Sequence, residues 1–133
     1  MKRGDLPKSF IIISTQRAGV DHRRIAQDLG TLLNLHPEAR LVTGVWQGVR
    51  EVSLLIPFHT NLGVADLLAL DNLRARYGQD ALLVVVNHAA FLQSVGGVDY
   101  VGSIEVTSNV DIEGDHTDLL NGYYLIVAEK RND

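Results

Sequence analysis

Residues 10–15 read Phe10-Ile11-Ile12-Ile13-Ser14-Thr15, and residues 82–87 read Leu82-Leu83-Val84-Val85-Val86-Asn87. Each is a short apolar run ended by a polar residue, so each predicts a strand. A strand with one wet face alternates polar and apolar residues. These two do not alternate, so both of their faces are expected to be buried. Whatever covers the second face decides the fold.

Between the two runs, Asp21 predicts the cap of a helix reaching Leu35, with Pro37 beyond its end. Ile25, Ala26, Leu29, Leu32 and Leu33 fall on one stripe, and Arg23, Arg24, Gln27, Gly30, Thr31 and Asn34 fall opposite. Residues 41–46 and 51–58 read as two strands around a turn at Gln47 and Gly48. Thr60 or Asn61 is expected to cap a second helix ending at Tyr77, stopped by Gly78. After the second run, residues 89–94 and 98–107 read as a hairpin around Gly96 and Gly97. Residues 108–122 read as a polar, acidic loop, and residues 123–128 as a last strand.

The order β-α-β-β-α-β with extra C-terminal strands predicts an α+β, ferredoxin-like domain, an antiparallel sheet carrying two helices on one face. No Pro-, Gly- or Ser-rich linker and no internal repeat interrupts it, so residues 1–133 form a single domain, with frayed tails at 1–7 and 130–133. Two helices cover only one side of the sheet. The second helix is itself apolar nearly all round, through Leu62, Val64, Leu67, Leu68, Leu70 and Leu73. Either another copy of the chain covers the remaining surface or the C-terminal strands fold back over it. The first is expected, as a homo-oligomer closed into a trimer.

Composition narrows the function classes. Apolar residues make up 46% of the 133, which excludes a disordered body. Twelve basic against 16 acidic residues leave a net charge of −4, so no nucleic-acid partner is expected. Without cysteine there is no disulfide, thiolate nucleophile or thiolate metal site. The apolar run behind the basic start is only residues 10–13, shorter than the ~7–15 residues of a secretory leader. The uncharged stretch 81–98 contains Asn87, His88, Gln93, Ser94 and two glycines, so no membrane span is expected. The reading is cytoplasmic.

No phosphate loop, dinucleotide fingerprint, H-E-x-x-H or G-x-S-x-G is present. The histidines at 22, 36, 59, 88 and 116 lack metal-ligand spacing, so no metal is expected. His59 and His88 end strands and stand in solvent or beside a site.

Two glutamates are more informative. Glu51, Ser53 and Leu55 share one face of their strand, and Val52, Leu54, Ile56 and Phe58 share the helix-packed face. Glu51 therefore points to the helix-free side. On the late strand, Asp99, Val101, Ser103 and Glu105 are expected on one face, against Tyr100, Ile104 and Val106. Each glutamate either pairs plainly (Glu51 with Arg50 or Arg40, Glu105 with water) or has a task at a subunit seam. Arg17, in the loop Ser14-Thr15-Gln16-Arg17-Ala18-Gly19, meets an anionic group or water. Trp46, Phe58, Phe91 and Tyr100 stack on a flat ring or pack in the core.

The order of these pieces resembles a known family, the small phage S-adenosylmethionine (SAM)-degrading enzymes, long called SAM hydrolases and now described as SAM lyases. The pieces are a strand ending in Ser14, Thr15 and Arg17; a helix carrying His22 and Arg23; and Arg50-Glu51 leading into a strand. Then come a helix closing at Gln79-Asp80 before an apolar strand, and Gly97-Val98-Asp99-Tyr100-Val101-Gly102-Ser103-Ile104-Glu105. The resemblance spans residues 10–106. It implies a ferredoxin-like subunit, a trimer similar to the PII signalling proteins, and ligand sites in clefts between subunits. It implies cleavage of SAM to 5'-methylthioadenosine and L-homoserine lactone, with SAM as substrate and no cofactor, serving anti-restriction in the cytoplasm of the infected host. Glu105 and Glu51 would hold the α-ammonium group or the ribose hydroxyls, strand backbone groups and Phe58 or Trp46 the adenine, and Arg17 the carboxylate, with Gln47 a further substrate-binding residue. Two further readings stay open: a hydrolase giving homoserine, and a non-catalytic PII-like trimer binding an adenine ligand. PII-type sensors carry a long loop where this chain has a short turn at Gln47 and Gly48, which favours the enzyme. An acidic DNA mimic is disfavoured, because the acidic residues are scattered.

Overall fold

The computed structural model describes residues 6–58, 64–108 and 111–129. Its elements are β1 (Ser9–Ser14), α1 (His22–Leu35), β2 (Arg40–Trp46), β3 (Val49–Pro57), α2 (Val64–Arg76), β4 (Ala81–Val86), β5 (Ala89–Ser94), β6 (Gly97–Thr107), β7 (His116–Asp118) and β8 (Tyr124–Glu129). The expected α+β class and the order β-α-β-β-α-β stand. β1 and β2 run the same way with β3 between them, and β4 lies on the other side of β1, all neighbours antiparallel.

The sheet is not an open sandwich. Its strands close into a barrel in the order β1-β3-β2-β7-β8-β6-β5-β4. This answers what covers the second face of the two apolar runs. Phe10, Val42, Leu55, Val85, Ala90, Ile104, Leu119 and Leu125, drawn from all round the barrel, form the interior core. Ile11, Ile13, Leu54, Ile56, Leu82 and Val84 face outward and pack beneath Leu32 of α1 and Tyr77 at the end of α2. Alternate residues of β1, β3 and β4 thus feed two different cores, and a polar residue at either parity would be buried. The chain's own C-terminal strands supply the cover, so the argument from an uncovered sheet no longer calls for a sister copy.

Local chemistry sets the boundaries. The Asp21 carboxylate accepts the Arg23 N–H at 2.7 Å and caps α1. Asp21→Ala is expected to cost about 1 kcal/mol of stability, measured by thermal or urea unfolding; an unchanged midpoint would show that the cap contributes nothing. α2 ends in a Schellman arrangement: the Gln79 and Gly78 N–H groups donate to the carbonyls of Arg74 and Ala75, and Gly78 has φ +62°. A Cβ on Gly78 would stand 2.9 Å from Arg17 Cδ. Gln47 and Gly48 have φ 49° and 79°, the two-residue turn that matches strand twist.

Two expectations change, and another falls outside the described residues. Residues 108–122 are not all loop, since β7 lies within them and joins the edges of β2 and β8. The expected cap at Thr60 or Asn61, like His59 and Leu62, lies outside the described residues. α2 is less enclosed than its leucines imply: Leu67, Leu70 and Leu73 are half-buried and Leu68 is 62% exposed. Among the described residues, no helix is long and apolar enough to cross a membrane.

Candidate functional site

One rim of the barrel gathers the polar ends of several strands. β1 stops at Ser14, whose Oγ donates to the Val52 carbonyl and accepts the Gln16 N–H. Thr15, fully buried, donates from Oγ1 to the Ile25 carbonyl of α1. The β2–β3 turn sits on the same rim, and its Gln47 N–H donates to Asp115 Oδ1 at 2.7 Å. Trp46, next to that turn, is 53% exposed.

Glu51 lies opposite Gly44 on β2 and shares the interior face with buried Ser53 and Leu55, as the alternation of β3 requires. It is half-buried. Loss of water, and secondly the negative charge of Asp80, push its carboxyl above the ordinary glutamate pKa. The neighbouring Arg50 turns instead to Asp118, at 3.6 Å. The folded chain therefore holds the Glu51 proton more tightly than the unfolded chain does. Stability from this group falls as pH rises from the unfolded glutamate pKa through the raised folded one. Glu51→Gln is thus expected to gain stability relative to wild type across that mildly acidic interval, read from urea unfolding at stepped pH. A variant difference that ignores pH would mean Glu51 ionises equally freely in both states.

Glu105 lies elsewhere. It sits opposite Ile126 on the outer wall, exposed, between Ile104 and Val106, which turn inward. The expected common face with Asp99 and Val101 is broken by a register shift between Ala90 and Phe91 of β5, opposite residues 100–102 of β6. A bulge of this kind reverses the parity of everything beyond it. Val101 packs on the interior core while Glu105 points out. The barrel wall therefore separates the two glutamates within one chain.

The remaining expected residues are dispersed. Phe58 follows the far end of β3, its N–H on the Ser9 carbonyl, and packs on the helix-side core. From Val49, the partner of Trp46, to Phe58 is roughly 30 Å of extended chain, so these two rings cannot share one adenine within a protomer. Arg17 is committed within the protein: its guanidinium donates to Asp28 at 3.0 Å and to the Thr15 carbonyl, and lies 6.0 Å from the Tyr77 ring centre. The expected free cation is instead a brace between α1 and the end of α2. Asp28 also pairs with Arg24 at 3.2 Å, an i,i+4 spacing visible in the sequence. Among the described residues, no group of three or more His, Asp or Glu side chains stands ready to hold a metal ion.

The rim thus joins Glu51, Trp46 and Gln47, and leaves Glu105, Phe58 and Arg17 apart. Fold and site together define a helix-backed antiparallel barrel with a desolvated carboxylate at one mouth. No protein-family model matches the chain, and no curated protein matches it.

Proposed function

We propose that the chain is an S-adenosylmethionine lyase. The substrate carboxylate attacks its own γ-carbon, the C–S bond breaks, and the electron pair leaves with sulfur as a neutral thioether. The products are 5'-methylthioadenosine and homoserine lactone. A neutral leaving group needs no general acid, and an internal nucleophile needs no activated water. The protein has to fold the methionine portion into attack geometry and exclude water, effects worth up to about 7–11 kcal/mol in favourable cases. The observation that carries the reading is the segment 97–105, a single strand presenting Glu105 exposed and outside any ion pair among the described residues.

Two features support it further. Arg17, held by Asp28, leaves the substrate carboxylate unneutralised and so reactive. Glu51 faces inward from β3 and Glu105 outward from β6, four strands round the barrel, so the two meet a single ligand only where two chains adjoin. That favours a PII-like homotrimer of these barrel subunits with SAM in the seams, Glu51, Trp46 and Gln47 from one copy facing Glu105 of the next. In a phage-infected bacterium, removal of the methyl donor would serve anti-restriction in the host cytoplasm.

The test is incubation of purified protein with SAM, followed by NMR. Methylthioadenosine with lactone at the earliest times supports the lyase. Homoserine formed directly points to the hydrolase, and bound but unchanged SAM to a PII-like sensor; either overturns the proposal.

A further inference from the structure

Asn121 and Gly122, the one Asn–Gly pair in the chain, form the turn between β7 and β8. The turn is tightly drawn. Leu120, 58% exposed, is held at φ 61°, where a branched side chain is unfavourable, and Gly122 follows at φ 89°. Asn121 Oδ1 accepts the Tyr123 N–H at 3.1 Å, an Asx turn that lays the carboxamide along the Gly122 peptide and polarises its carbonyl. Gly122 is exposed, and nothing lies within 4 Å of where its Cβ would stand. Among the described residues its N–H donates no hydrogen bond. An electrophilic carbon is thus held beside a free, uncrowded backbone nitrogen.

We propose that Asn121 is a site of self-modification by deamidation. The Gly122 nitrogen gives its proton to hydroxide and attacks Asn121 Cγ. A C–N bond forms, and the carboxamide nitrogen takes up a proton from water and leaves as ammonia. The five-membered succinimide then adds water at either carbonyl. It opens to aspartate or to isoaspartate, whose main chain runs through the former side chain. Water and hydroxide are the only co-reactants.

The position makes the change consequential. The turn is closed by the Leu119 N–H on the Tyr123 carbonyl at 3.0 Å, and Leu119 and Leu125 on its two arms are both interior core residues. β7 has only three residues. An extra main-chain carbon between Leu119 and Leu125, with a new negative charge near Asp118, works against the pairing of the shortest strand in the wall.

The test holds the folded full chain and the same chain in urea at physiological temperature over a series of mildly alkaline pH values. Mass spectrometry then follows the peptide spanning residue 121, and isoaspartate is identified by enzymatic methylation. The expected result is a gain of one mass unit at Asn121, rising with pH, at least as fast folded as unfolded, and several-fold faster than at Asn72 or Asn87. Asn121→Gln should abolish it without altering the circular dichroism of the fresh protein. A folded chain that modifies more slowly than the unfolded one overturns the proposal, because the turn would then protect the residue instead of priming it.

Discussion

Glu105→Gln is expected to lower kcat/KM for SAM cleavage roughly 10- to 150-fold, the worth of one hydrogen bond to a charged group at ~1.5–3 kcal/mol. Its unfolding midpoint and oligomeric mass should not change. The stability half of this expectation follows from position: Glu105 is exposed on the outer wall, faces Ile126, and belongs to neither core. The activity half follows from the sulfonium chemistry. A carboxylate pressed against the positive sulfur would stabilise the reactant and slow a step in which that charge disappears. On the proposed lyase reading, the productive place for Glu105 would be the α-ammonium group or the ribose, where it would fix the bend of the methionine portion. The loss should therefore appear in kcat as well as KM, because a misplaced carboxylate attacks less often even when SAM is bound. Wild-type kinetics from the variant would remove Glu105 from the site and, with it, the observation on which the lyase reading rests.

Some of this architecture is written locally and some is not. Asp21, the Gln47–Gly48 turn and Gly78 act within a few residues of themselves, and each sits where local chemistry puts it. The lack of alternation in residues 10–13 and 82–86 correctly demands two buried faces, but composition says nothing about which surface does the burying. That depends on closure between β2 and β8 through β7, a pairing of distant segments. β7 itself is His116, Thr117 and Asp118, without an apolar signal; two flanking strand edges recruit it. The face that Glu105 was expected to share with Asp99 and Val101 is broken for a related reason. Alternation is reliable only within an unbroken ladder, and β6 carries an extra residue at Val101, since Phe91 pairs with Tyr100 but Ala90 with Gly102. Glu51 lies on an unbroken stretch of β3, and its inward orientation is as expected. Arg17 resembles a free loop cation because its partner Asp28 comes from the next helix, eleven positions away.

Leu54 and Leu55 put the closed barrel to a direct test. They are adjacent on β3, both essentially inaccessible, and belong to different cores: Leu54 to the helix-side cluster, Leu55 to the barrel interior. Truncating either to alanine should cost about 2–5 kcal/mol, since each removes a buried side chain from a site that cannot fully collapse. An open sheet whose second face is shielded by neighbouring chains gives a different result. The cost of Leu54→Ala would then remain, but that of Leu55→Ala would be felt in assembly and would change with protein concentration. In the barrel both costs are intramolecular. The urea midpoint of each variant, relative to wild type, should shift by the same amount at low and at high micromolar concentration. A Leu55→Ala shift that is small, or that grows on dilution, would place the second cover outside the chain and undo the account of why residues 10–13 and 82–86 carry no polar face.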